Sequence, residues 1–177
     1  SLKRLAEELG LKAGGGGDEG EADVIFAGYR SAPLRFVRIG KVFAFPSRAE
    51  GLPNALMEAL ASGVAILAAD CPWGPRSVLA GKEEAVTDES IGFPTPLAYG
   101  TLMPLPEYPG AVEIWASELA RLLEAQPTRR SLKQRQEAVR RFDIEVTGPR
   151  WLELVDRSVQ ARKRSNEFSL AKKLGAG

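Results

Sequence analysis

Histidine is absent from this sequence of 177 residues. With it go histidine general bases, histidine-containing triads and the commonest zinc ligand. Cysteine occurs once, as Cys71, which excludes an intrachain disulfide and fits a reducing, cytoplasmic setting with the thiol as a small buried apolar group. No apolar run approaches the length of a membrane-spanning helix, and the first residues lack the form of a signal peptide. Excess charge of either sign is missing too: 24 Lys and Arg face 23 Asp and Glu, so no overall field argues for a nucleic-acid partner.

What is present is ordinary for one soluble domain, with 44% hydrophobic and 27% charged residues. We expect residues 1–163 to form that domain and residues 164–177 a polar tail. The chain starts without methionine and inside an amphipathic helix over residues 2–9, which reads as part of something longer. The run Gly14–Gly17, with Asp18, Glu19 and Glu21 beside it, reads as a surface loop: no strand precedes it, acidic side chains repel phosphate, and no Gly-Lys-Ser/Thr follows. Val24 to Ala27 reads as a buried strand and Pro33 to Ile39 as a short helix. Helices follow over 111–125, 131–142 and from Pro149, the first with Val112, Trp115, Leu119 and Leu122 as its apolar stripe. Alternating strands and helices point to an α/β fold with a parallel sheet.

The chain is organised around Val42 to Asp70. A strand over 42–45 leads through a turn holding Gly51 and Pro53 into a helix over 54–62; Gly63 stops the helix, and a second strand follows over 64–69. That helix is apolar nearly all round, so burial on several sides is expected, and Glu58 then needs a hydrogen bond, an ion pair or a cleft. Glu50 falls beyond the carboxyl end of the preceding strand, where ligands bind in open α/β sheets. The free amides near Asn54 and Ala55 offer an anion site. A diphosphate at the helix tip, with a carboxylate on each side for vicinal hydroxyls, is an arrangement for a nucleotide sugar. A plainer reading makes Glu58 a complement to the helix macrodipole and Glu50 a turn residue. The residues alone leave both open.

The stretch Phe45 to Gly63 resembles the signature of retaining glycosyltransferases of family 4, which have the GT-B fold. Glu50 and Glu58, with seven residues between them, match that family's two glutamates. Val24-Ile-Phe-Ala-Gly-Tyr-Arg30 is similar to the strand and turn beside the nucleotide base, and Asp70-Cys-Pro-Trp-Gly-Pro-Arg76 to the loop after the next strand. Tyr99 to Pro104 and Arg141-Phe-Asp143 also resemble family positions. The likeness runs over roughly residues 2–160.

The resemblance implies a Rossmann-like parallel sheet flanked by helices, the C-terminal, donor-binding half of a two-domain hexosyltransferase, followed by C-terminal helices. Glu58 would bind the ribose hydroxyls and Glu50, the catalytic candidate, those of the transferred sugar. Gly51, Leu52, Asn54 and Ala55 would line the donor, with the Asn54 and Ala55 amides on the diphosphate, and Gly28, Tyr29 and Arg30 would lie near the base. The implied substrate is a UDP- or GDP-linked sugar, with no cofactor and no metal; no Asp-x-Asp motif is placed to bridge one. The acceptor would be a glycan or lipid-linked, as for relatives with a Cys-Pro-x-Gly-Pro-Arg loop. The missing N-terminal acceptor half would leave the isolated chain a weak donor binder with little or no transfer.

Two departures stand out. The Arg and Lys that neutralise the diphosphate in relatives would lie upstream of residue 1, leaving Arg30, Arg48 and Arg76 as nearby cations, Arg48 reading as a solvated one. Ser77 stands where many relatives have glutamate. A sugar-nucleotide epimerase on the same fold would need acid and base groups, including a histidine, that the sequence lacks. A non-catalytic module using the basic helices over 131–141 and 150–164, at a partner or peripherally at the cytoplasmic membrane face, is the reading from another class.

Overall fold

The computed structural model describes residues 1–15, 20–81, 91–125 and 129–173, with 129–130 and 164–173 described as backbone only. The chain divides into two compact units, Ser1–Phe36 and Val37–Gly177.

The first unit holds α1 (Leu2–Glu8), β1 (Ala13–Gly14) and β2 (Val24–Ile25), the two strands pairing in parallel with Ala13 opposite Val24. Ser1 caps α1 by accepting from the Arg4 amide. Of the apolar stripe on α1 only Ala6 is buried, while Leu2, Leu5, Leu9 and Leu11 are exposed. A strand therefore does lead into the glycine run, contrary to the sequence expectation, because two residues are too few to show a period. Gly16 to Glu19 lie outside the described residues. The unit boundary falls within α2 (Leu34–Ile39).

In the second unit a four-stranded sheet has the order β3-β4-β6-β5, built from β3 (Val42–Phe45), β4 (Ala65–Ala69), β5 (Thr95–Pro96) and β6 (Thr101–Met103). The β3, β4 and β6 strands are parallel; β5 runs antiparallel to β6. Between β3 and β4 lies α3 (Asn54–Ser62), after β4 comes α4 (Pro75–Ala80), and α5 (Ala111–Glu124), α6 (Arg129–Ala138), a 3₁₀ turn at Arg140–Phe142 and α7 (Ile144–Lys173) complete the chain. The mixed α/β arrangement with helices flanking a parallel sheet is the Rossmann-like fold class expected from sequence.

Apolar residues run without interruption through β4, as in strands covered on both faces. Ile66 and Ala68 join Leu56, Ala59 and Leu60 of α3, Val78 and Leu79 of α4 and Leu102 of β6 in one core cluster. Phe43 and Phe45 pack on it, their rings stacked at 6.0 Å between centroids. The alternate residues Thr101 and Met103 are also buried, and α5 covers them: Thr101 Oγ1 donates to Glu118 Oε1 at 3.5 Å, and Trp115 Nε1 donates to the Pro104 carbonyl at 2.9 Å. The buried positions of α5 are Ala111 and Glu118. Val112, placed by sequence on the apolar stripe, is 75% exposed.

The helix expected to open at Pro149 begins at Ile144, with Pro149 inside it. Its backbone stays helical to Lys173, through most of the polar tail. The expectation that α3 is buried on several sides fails. It buries Leu56, Ala59 and Leu60, whereas Asn54, Ala55, Glu58 and Ala61 are exposed. Alanine loses little by exposure, so apolar character all round did not require burial all round.

Glu118, only 9% exposed, is held by the Arg121 guanidinium through bonds of 2.6 and 2.8 Å. Those bonds outweigh burial and hold its carboxyl below the ordinary glutamate range. A carboxylate depressed in the folded state adds stability that is fully present above the unfolded-state value and is lost as pH falls through the folded one. Wild type should therefore lose stability below about pH 4.5 more steeply than Glu118→Gln. The variant should be less stable by about 1 kcal/mol at neutral pH, since Arg121 is largely exposed. Urea denaturation across pH checks both.

Candidate functional site

Beyond Phe45 the chain turns through Pro46 to Pro53 before α3, and beyond Ala69 it turns through Asp70 to Gly74 before α4. Both turns stand at the carboxyl ends of the paired strands β3 and β4. They touch at Gly74, whose φ is +92°; a Cβ there would lie 3.0 Å from the Gly51 carbonyl oxygen and against the Pro53 ring. The residue before it, Trp73, is also left-handed at φ +67° and 62% exposed. For a bulky residue this is an uncommon and costly backbone. No sequence signal marks it.

Glu50 is half-buried and accepts a 2.6 Å hydrogen bond from Ser47 Oγ on Oε1. Its charge reaches the buried Cys71 beyond β4: burial, then the negative charge of Glu50 and more weakly that of Asp70, push the Cys71 thiol up. The thiol is thereby kept protonated and poorly nucleophilic, as the sequence reading of Cys71 requires. Ser47 was missed, although a serine three residues before a glutamate is a local hydrogen-bonding signal that sequence can supply.

Pro53, with φ −77° and ψ 83°, forms an inverse γ-turn in which the Asn54 amide donates to the Leu52 carbonyl at 2.9 Å. The Leu56 and Met57 amides donate to the Pro53 carbonyl. Among the first amides of α3, that of Ala55 donates to no described residue. The helix start thus presents one open donor, that of Ala55, with the macrodipole behind it. One turn on, Glu58 is exposed, and its carboxylate meets no described residue. The partner that burial would have demanded is not needed, because the burial is absent. Ser62 Oγ donates back to the Glu58 carbonyl at 3.0 Å.

Of the expected site residues, Glu50, Gly51, Leu52, Asn54, Ala55 and Glu58 therefore share one loop and the first two turns of one helix. Gly28, Tyr29 and Arg30 belong to the other unit. There Gly28 has φ +64°, Tyr29 is 94% exposed, and the Arg30 guanidinium lies 5.5 Å from the Phe36 ring centroid.

Arg76 and Arg48 are each matched by a carboxylate. Arg76 holds Asp70 with both carboxylate oxygens engaged, one through an Nε–Oδ1 bond of 3.1 Å. Asp70 is 8% exposed, and its amide donates to Met103. Arg48 pairs with Glu107 on the exposed rim. Behind α4, Arg141 Nη2 donates to the Ser77 carbonyl at 2.6 Å, and its guanidinium stacks on Phe142. Sequence flagged Arg76 as a cation near the site but not Asp70 as its partner.

Residues 4–93 match the family model described as Glycosyl transferases group 1. The chain is also 28% identical over 149 residues to an uncharacterized glycosyltransferase of Methanocaldococcus jannaschii, a match that covers 77% of this chain and 36% of that protein. The chain thus spans about a third of the length of the curated relative it matches.

Arg76→Ala leaves the buried Asp70 carboxylate without its cation and should cost about 3 kcal/mol. Adding Asp70→Asn should recover part of the loss. Equal denaturation midpoints for the wild type and Arg76→Ala would show that the pair does not hold this loop.

Proposed function

The chain belongs to the Glycosyl transferases group 1 family, and on that premise we propose that it is the donor-binding half of a retaining hexosyltransferase using a UDP- or GDP-linked sugar. The observation that carries the reading is the Ser47-oriented, half-buried Glu50 at the carboxyl end of β3, one turn before the open Ala55 amide at the start of α3. In this proposal the diphosphate sits at the helix start. Glu50 accepts from hydroxyls of the transferred sugar and Glu58 from those of the ribose, while Gly51 and Leu52 line the donor. The bond from the anomeric carbon to the diphosphate oxygen breaks, and a bond to the acceptor oxygen forms on the same face. The hydroxyl proton passes to the leaving phosphate, so no histidine is required. A glycan or lipid-linked acceptor would be held by a second half of the enzyme.

Calorimetric titration with UDP- and GDP-sugars and with the free nucleotides tests this. Glu58→Gln should weaken sugar nucleotide and free nucleotide alike, by roughly tenfold for one charge-assisted hydrogen bond. Glu50→Gln should weaken only the sugar nucleotide. Absence of heat with every donor, from a chain whose circular dichroism shows it folded, would sink the proposal.

A second reading, an interaction module at an anionic membrane surface, is favoured by α7. Trp151, Leu152, Leu154, Val155 and Val159 are exposed there alongside Arg150, Arg157, Arg162 and Lys163. No helix among the described residues is long and apolar enough to cross a membrane. Binding to phosphatidylglycerol vesicles at low salt that is lost at high salt is the expected outcome; no binding at low salt dismisses this reading.

A further inference from the structure

At the opposite, amino ends of β3 and β4 the second unit has a pocket of about 490 Å³. Its walls are the end of α3, the residues leading into the two strands, the end of α5 and the start of α6. Among the described residues three cations line it, Arg38, Lys41 and Arg135, and no carboxylate does. Among the described residues none of the three forms an ion pair. Arg135 is half-buried, and its Nη1 donates to the Gly63 carbonyl at 2.9 Å.

Ordinary surface cations at helix carboxyl ends complement the macrodipole, and Arg38 in the last turn of α2 fits that role. Arg135, bonded to the Gly63 carbonyl at the end of α3, fits it too, but the account does not explain why three cations converge on one pocket. Arg135 gives up hydration, enough that burial lowers its affinity for the proton, and meets a neutral carbonyl rather than a charge. Lys41 precedes a strand and serves no helix end of its own. The dipole at the end of α3 opposes an anion, but the bond from Arg135 to Gly63 places a cation over that end. Guanidinium groups engage phosphate oxygens through paired N–H donors, and lysine adds a point charge. Leu122 and Leu132 give the same pocket an apolar wall for the body of an organic ligand.

We propose that this pocket is a binding site for a phosphate-bearing molecule, separate from the donor site at the other end of the strands. The ligand's phosphate is held by Arg38, Lys41 and Arg135 and its apolar body rests on Leu122 and Leu132. A soluble phosphate ester and a phospholipid headgroup present the same chemistry, so the test separates them.

The test titrates the whole chain with inorganic pyrophosphate, followed by amide NMR, and in parallel with phosphatidylcholine vesicles with and without phosphatidylglycerol. The expected result is a saturable shift of the Gly40 and Gly63 amides with pyrophosphate, weakened about tenfold in Arg38→Ala and in Lys41→Ala. Both side chains are exposed, so these variants keep their fold, whereas Arg135→Ala also removes the bond to Gly63. Loss of vesicle binding in the same variants, without a pyrophosphate effect, supports the site and identifies a headgroup as the ligand. Shifts confined to Gly51 and Ala55, or affinities that neither variant changes for either probe, overturn the proposal. Donor titration of the same variants keeps this outcome distinct from the donor-site reading.

Discussion

The return from α3 to β4 is the constraint on which the second unit depends. Gly63, at φ +81°, ends the helix with its amide on the Leu60 carbonyl, and Ala65 is already in register with Val42. A residue with a Cβ would be strained there and would also press on the Leu132 side chain at 3.2 Å. With so short a return, burying Leu56, Ala59 and Leu60 against Ile66 and Ala68 leaves α3 little freedom to rotate or slide. Its first turn is thereby fixed at the carboxyl ends of the strands, with Ala55 and Glu58 facing out. The same geometry sets Ser62 to Ala65 at the amino ends, where they wall the cationic pocket. One crossover thus positions both the start of α3 and the cationic pocket.

Charge is handled differently at the two ends. At the carboxyl ends the cations are matched: Arg76 with the buried Asp70, and Arg48 with Glu107. Arg76 makes the buried carboxylate tolerable and holds the loop after β4, whose Gly74 lies against the turn before α3. It is therefore a structural cation and a poor candidate for neutralising a diphosphate. Among 48, 50, 58, 70 and 76, the charges without an ionic partner among the described residues are the two glutamates. At the amino ends the imbalance is reversed, with three cations and no carboxylate lining the pocket among the described residues.

Strong local patterns made the middle of the chain legible. An unbroken apolar run reads as a strand covered on both faces, and a glycine after a helical stretch marks its end, so β3, α3 and β4 lie within a residue of their expected places. Two-residue strands such as β1 and β5 carry no period and stayed invisible. The exposed face of α3 was not legible because Ala55 and Ala61 read as apolar while burying almost nothing. The link between Asp70 and Arg76 depends on how the loop folds, which no periodicity encodes. Pro149 reads as a helix start, although the helix begins five residues earlier, at Ile144. Proline is favoured in a first turn, but the helix begins after Asp143, whose carboxylate accepts from the Glu145 amide and whose carbonyl accepts from the Val146 and Thr147 amides.

The two glutamates flank one turn, and their surroundings make them unequal. Glu50 is half-buried, with Oε1 already taken by Ser47 and Oε2 without a described partner. It is an oriented acceptor with room for one further strong hydrogen bond, the property needed where a reacting sugar must be held in one pose. Glu58 is exposed on a helix, with both oxygens open. Two open oxygens on a rigid element suit a pair of adjacent hydroxyls, as on a ribose, where affinity matters more than orientation of a reacting bond. The division of labour proposed for the two carboxylates thus has a physical basis in what already surrounds each one, independent of their spacing in the sequence.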